Sequence, residues 1–146
     1  MFKSGKYYVG DLCCVINRSW EELYSLLRKK PIGGEFTLSN KIKVGLFFTK
    51  LGDGYYCDGE GNDYKVESGT IGCVLISDIL INETPNIANG AVIYFKENFD
   101  IDDSEGVLVF GEVEIDTGDF WLLYDILSIC ENLKLFLIRV FKIKIF

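Results

Sequence analysis

From residue 35 onward the chain is built of short runs in which apolar and polar positions alternate, and before that only one stretch carries a helical period. Trp20, Leu23, Leu26 and Leu27 fall on one face of a helix, so a helix is expected over residues 19–30. Ser19-Trp20-Glu21-Glu22 has the form of a capping box, with the serine oxygen placed for the Glu22 amide and the Glu22 carboxylate able to reach back. Arg28-Lys29-Lys30 before Pro31 suits the negative end of the helix dipole and a proline stop. Ahead of the helix, Lys6-Tyr7-Tyr8-Val9 and Leu12-Cys13-Cys14-Val15-Ile16 are β-prone runs parted by the turn pair Gly10-Asp11.

Strands then dominate. Residues 35–38 and 41–49 flank Ser39-Asn40 and predict a hairpin with a tight turn. Residues 52–72 alternate turn and strand residues too regularly for a linker. Tyr55-Tyr56-Cys57 and Tyr64-Lys65-Val66 bracket Asp58-Gly59-Glu60-Gly61-Asn62-Asp63, where glycine supplies positive φ and Asp or Asn caps local amides. The apolar run 70–76 suits a central strand, residues 82–90 with Pro85 a connecting loop, and residues 91–96, 106–110 and 112–116 three more strands. In the last of these, Val113 and Ile115 face the core while Glu112, Glu114 and Asp116 face water. Beyond them, Asp119 caps an apolar helix to about Glu131 with Asp125, Ser128 and Asn132 as its polar stripe, and Phe141-Lys142-Ile143-Lys144-Ile145 alternates like a strand.

The fold class that follows is α+β, mainly β: an antiparallel meander sheet, as a sandwich or partly open barrel, with one helix in the N-terminal half and a C-terminal helical segment. At 146 residues the chain makes one domain, expected over 1–119, with 120–146 an apolar extension packed on the domain or on a partner, including a second copy of the chain. No run of eighteen uncharged apolar residues and no apolar N-terminal stretch occurs, and the five cysteines, Cys13, Cys14, Cys57, Cys73 and Cys130, show no Cys-x-x-Cys spacing. The expected location is cytoplasmic, with reduced thiols and no membrane partner.

Charge is unevenly spread. Residues 1–50 hold nine Lys/Arg against four Asp/Glu, residues 51–119 two against sixteen, and residues 120–146 four against two. Glu97, Asp100, Asp102, Asp103, Glu112, Glu114 and Asp116 lie in a stretch with no basic residue after Lys96. Such a surface repels nucleic acid and attracts a basic protein; it is also what an ordinary solvated face carries.

With no histidine, imidazole general bases, Ser-His-Asp and Cys-His nucleophiles and histidine zinc sites are excluded. Carboxylates remain for acid–base work or a divalent metal, with Asp11, Asp53, Asp58, Asp63 and Glu67 the candidates, because neighbouring glycines let backbone or substrate approach. The same residues are what β-turns require. Asp58 to Gly69 fails as a calcium loop, having Asp63 at the sixth position and Gly69 at the twelfth, and neither Gly52–Gly54 nor Gly59–Gly61 carries the phosphate-loop lysine or opens a helix. No cofactor is implied. Cys13 and Cys14, on a strand, would point to opposite faces and form no joint site.

The order Gly5-Lys6-Tyr7-Tyr8-Val9-Gly10-Asp11-Leu12-Cys13, Trp20, Gly52-Asp53-Gly54-Tyr55, Asp58, Gly61, Tyr64, Val66, Ser68-Gly69, Ile71-Gly72, Gly106-Val107, Phe110-Gly111 and Ile115-Asp116-Thr117 resembles a family of small uncharacterised β-rich proteins met in bacteria, bacteriophages and large viruses. The resemblance covers residues 5–117, implies a domain ending near Thr117, and brings no activity with it. The expected function is a non-enzymatic, acidic protein-interaction module that binds a basic partner, as an inhibitor, immunity or counter-defence protein does. The alternative is a metal-assisted hydrolase built on Asp11, Asp53 and Asp58.

Overall fold

The computed structural model describes residues 1–82 and 87–118. The expected extension 120–146, with its helix, strand, self-association surface and Cys130, lies outside the described residues.

Ten strands form: β1 (Gly5–Gly10), β2 (Gly34–Thr37), β3 (Lys43–Phe48), β4 (Gly54–Cys57), β5 (Asp63–Val66), β6 (Thr70–Leu75), β7 (Gly90–Phe95), β8 (Ile101–Ser104), β9 (Val107–Phe110) and β10 (Val113–Asp116). Two α-helices, α1 (Trp20–Lys29) and α2 (Ile76–Asn82), and a short 3-10 helix (Leu12–Cys14) complete the described elements. Every strand pairing among them is antiparallel, and the fold is α+β, mainly β. No closed barrel forms among the described residues.

Three layers result. The central layer is a five-stranded sheet in the order β2-β3-β6-β1-β7. Residues alternate across it, so Tyr7 and Val9 of β1 face one side and Tyr8 the other. On the Tyr8 side, Leu12, Val15, Ile16, Leu23, Leu27, Val44, Val74 and Ile79 build a core under α1, α2 and the 3-10 helix. On the Tyr7 side, Phe47, Ile71, Phe95 and Phe99 meet Tyr56, Tyr64, Leu108, Phe110 and Ile115 of a second strand layer. That layer consists of the β4-β5 hairpin and the β10-β9-β8 sheet, joined by an Asp58–Ile115 bridge. The expected meander is thus confined to β8-β9-β10; in the large sheet the first strand lies between β6 and β7.

Several local expectations are corrected. Residues 12–16 are not a strand, because Asp11 accepts from the Cys13 amide at 3.1 Å and turns the chain into the 3-10 helix. The capping box does not close: the Ser19 side chain makes no cap hydrogen bond, and Glu22 instead accepts from the Ser39 amide and hydroxyl at 2.9 and 3.0 Å. The β2-β3 connection runs over five residues rather than a two-residue turn, with Lys41 at positive φ and Asn40 capping the Ile42 amide. α2 and β8 were not legible: Ile76 continues an apolar run, and Ile101-Asp102-Asp103-Ser104 is too polar to read as a strand. No helix among the described residues is long and apolar enough to cross a membrane.

Three buried tyrosines make the fold sensitive to alkali. Burial, with Cys73 and Asp78 nearby, pushes the Tyr7 hydroxyl to about 12. Burial raises Tyr8 and Tyr64 further, helped by Asp11 beside Tyr8 and by the hydrogen bond from Tyr64 to Asp58. Unfolded tyrosine ionises near 10, so above that pH the unfolded chain releases protons that the folded chain keeps, and stability falls as pH rises. Each such group contributes a slope of up to about 1.4 kcal/mol per pH unit. Tyr64→Phe is expected to cost about 1–2 kcal/mol at pH 7 but to flatten the loss between pH 10 and 11, as followed by urea midpoints. An unchanged alkaline slope would show that Tyr64 ionises freely in the folded protein.

Candidate functional site

Asp11 is wholly buried, at the junction of β1 and the 3-10 helix. One carboxylate oxygen accepts from the Cys13 amide at 3.1 Å and the Ser68 hydroxyl at 2.8 Å, the other from the Glu67 and Ser68 amides at 2.7 and 2.9 Å. A carboxylate has about four lone-pair positions, and these donors, together with the Cys13 thiol, leave none of them free. Asp58 is placed in the same way at the end of β4. It accepts from the Glu60 and Asn62 amides at 2.8 and 3.1 Å, the Asn62 side chain at 2.9 Å and the Tyr64 hydroxyl at 2.6 Å. Burial pushes its pKa up, but the hydrogen bonds outweigh burial and leave it below the usual carboxylate value.

Both residues therefore act as hubs. Asp11 ties the β1 exit to the β5-β6 turn, and Asp58 organises the turn between β4 and β5. Asp53 is exposed before β4, with its carboxylate near Gly69, and Asp63 and Glu67 are exposed, Glu67 3.4 Å from Lys65. Among the described residues no three Cys, Asp or Glu side chains converge as a metal site. The three carboxylates proposed for hydrolysis are thus distributed over separate turns, two of them saturated by donors of the fold itself.

The two adjacent cysteines depart from expectation. The 3-10 helix brings their Sγ atoms to 3.4 Å instead of opposite faces. Burial, with the hydrogen bonds of Asp11 and Cys14, drives the Cys13 thiol well above its ordinary pKa and keeps it protonated.

The expected acidic surface divides into three parts. Asp102, Glu114 and Asp116 share the outward face of the β8-β9-β10 sheet, where Asp102 and Glu114 flank Val109. Asp100 lies beside the N-terminal amine at 3.8 Å, and Asp103 caps the Gly106 amide at 2.9 Å in the β8-β9 turn. Glu97 and Glu112 come together with Glu60 around a groove of about 600 Å3. Sequence reasoning grouped the first two with the rest of the run and missed Glu60, which lies 37 residues before Glu97 and is brought there by the β4-β5 turn.

One wall of the groove is Ile93, Tyr94 and Phe95 of β7, and the other is Gly111, Glu112 and Val113 at the β9-β10 turn. Its aromatic side is closely packed: Phe95 and Phe99 stack with ring centroids 3.9 Å apart, and Phe99 stacks on Phe2 and meets Tyr7 edge-on. Gly111, at φ 61, permits the approach, since a Cβ there would stand 3.0 Å from Phe99 and 3.1 Å from Phe95. Among the described residues, Lys96 is the one basic side chain lining the groove, against three carboxylates.

Comparison with protein-family models, with curated proteins and with solved structures gave no match to this chain.

Proposed function

We propose that this protein is a non-enzymatic interaction module whose acidic groove engages a basic surface of a partner protein, in the manner of an inhibitor, immunity or counter-defence protein. The observation that carries the reading is the groove between β7 and the β9-β10 turn, where Ile93, Tyr94, Phe95 and Val113 line the same space as Glu60, Glu97 and Glu112. Aromatic and aliphatic side chains beside charged ones are what a protein-binding patch combines, and the excess of negative charge selects the sign of the partner. The outward carboxylates of Asp102, Glu114 and Asp116 extend the same sign over the adjoining sheet and would steer encounter over a longer range. The saturation of Asp11 and Asp58 by hydrogen bonds takes away the main support for carboxylate catalysis.

The test is affinity capture from a native lysate at low and moderate salt, followed by binding of the purified captured protein. Glu97→Lys combined with Glu112→Lys is expected to weaken binding at least tenfold while leaving the urea midpoint within about 0.5 kcal/mol, since both side chains are exposed. Binding that is indifferent both to salt and to this double change would overturn the proposal.

A further inference from the structure

β7 is the outermost strand of the large sheet, and no described strand pairs with its far side. Six residues of it pair in register with β1, so its backbone is held extended and its opposite edge keeps peptide groups that no described strand pairs. At its start the Lys65 amide of β5 donates to the Asn89 carbonyl at 3.3 Å, and along Gly90–Phe95 no described strand covers the edge. Proline and bulge are missing from Gly90–Phe95, and the two outward side chains, Val92 and Tyr94, are apolar or amphipathic and 47% and 63% exposed.

The two faces of that edge differ in chemistry. Val92 and Tyr94 pair with Tyr8 and Lys6 of β1 and share their face of the sheet, the side of the helices. Ile93 and Phe95 lie on the other face, toward the groove with Glu60, Glu97 and Glu112. A strand laid along β7 would therefore need apolar side chains at alternate positions to cover Val92 and Tyr94, and long basic ones between them. The aliphatic stems of the latter would run over Ile93 and Phe95 while their charged ends reach the carboxylates.

We propose that the groove binds its partner by strand addition: an extended segment of the partner, alternating Val or Ile with Lys or Arg, pairs with β7 as a sixth strand of the sheet. Main-chain hydrogen bonds to β7 supply affinity and the two unlike faces supply specificity. This rests on the acidic-interaction reading and specifies how the partner is held. Charge also decides between occupants. A second copy pairing β7 to β7 would bring two acidic rims together, whereas a basic segment neutralises one.

The probe is an acetylated and amidated octapeptide of strictly alternating lysine and valine, titrated into the full chain. It is compared with a block peptide of equal charge, in which the four lysines precede the four valines, and with the alternating peptide N-methylated at every amide. Strand addition predicts that both controls bind at least tenfold more weakly, and that amide exchange at Val92, Ile93 and Tyr94 slows at least tenfold in the complex with the alternating peptide. Equal binding of all three peptides overturns strand addition but leaves the acidic reading intact if Glu97→Lys with Glu112→Lys still abolishes it. Failure of the acidic reading shows separately, as binding untouched by that charge reversal. Dimerisation in light scattering that the peptide does not dissociate would overturn the proposal in favour of a second copy. No binding to the full chain, with binding gained on Arg139→Glu, Lys142→Glu and Lys144→Glu together, would replace the partner with the chain's own basic segment.

Discussion

Asp11→Ala is expected to lower the unfolding free energy by about 3–5 kcal/mol. The carboxylate is wholly buried and takes hydrogen bonds from three backbone amides, the Ser68 hydroxyl and the Cys13 thiol. Removing it leaves those amides and the Ser68 hydroxyl without their acceptor, and each buried donor so stranded costs about 1–3 kcal/mol, less whatever water entering the cavity restores. Against a total of roughly 5–15 kcal/mol, that is a large share of the stability. Asp11→Asn keeps the shape but sets an N–H against donors, so it should recover little of the loss. Urea unfolding measures both changes. A chelator is expected to leave the wild-type midpoint where it is; a midpoint that fell with chelator as it falls in Asp11→Ala would instead make Asp11 a metal ligand.

Gly72→Ala should be nearly as damaging, although it adds a single methyl group. Gly72 of β6 stands opposite Leu46 of β3 and Gly10 of β1, and Gly10 in turn stands opposite Gly90 of β7. A Cβ on Gly72 would land on the Gly45 carbonyl oxygen, with Leu12 Cδ1 at 2.8 Å and Leu46 Cδ1 at 2.9 Å. Because the nearest obstacle is backbone in the middle of the sheet, relief requires β3 and β6 to move apart. We expect a loss of about 3 kcal/mol or more, at the upper end of overpacking effects. Gly59→Ala, with nothing within 4 Å of the added atom, is the control and should stay within about 0.5 kcal/mol. Equal stabilities for the two variants, by thermal or urea unfolding, would mean that the glycine row imposes no packing constraint.

The row has a specific occupant. The Tyr8 ring lies over Gly10 and Gly90, where added Cβ atoms would stand 2.9 and 2.7 Å from its Cζ, and its hydroxyl donates to the Asp11 carbonyl at 3.2 Å. An aromatic side chain covering cross-strand glycines restores the packing that glycine lacks. Several other residues of the chain serve as comparable structural devices. Asp11 and Ser68 bond each other, Asp58 and Tyr64 do the same, and Thr117 donates to the Gly106 carbonyl at 2.6 Å. Gly69, Gly106 and Gly111 all lie at positive φ.

Element types were largely readable because period-two alternation and glycine-rich turns are local. Val113 and Ile115 are buried and Glu114 exposed as their alternation requires, and Asp58 caps the turn amides that its spacing implied. Where reading failed, a side chain had found a distant or unexpected partner. Glu22 left its helix cap for Ser39, and Asp11 bent a β-prone run into a 3-10 helix that set Cys13 beside Cys14. The candidate site was half legible: Glu97 and Glu112 stood in the acidic run, but their separation from Asp102, Glu114 and Asp116 did not, because charge density along a chain says nothing about which sheet face each residue meets.

The sequence alone determined an antiparallel, strand-rich domain with one helix before its third apolar run, since alternation fixes which residues share a face. Only the tertiary structure decided which strands are neighbours. It set β1 between β6 and β7, left β7 at the border, and carried Glu60 across to Glu97 and Glu112. It also joined Asp11 to amides 56 and 57 residues away. The order of strands depends on how two apolar faces are covered at once by helices and by a second sheet, and that is a property of the whole core rather than of any run of residues.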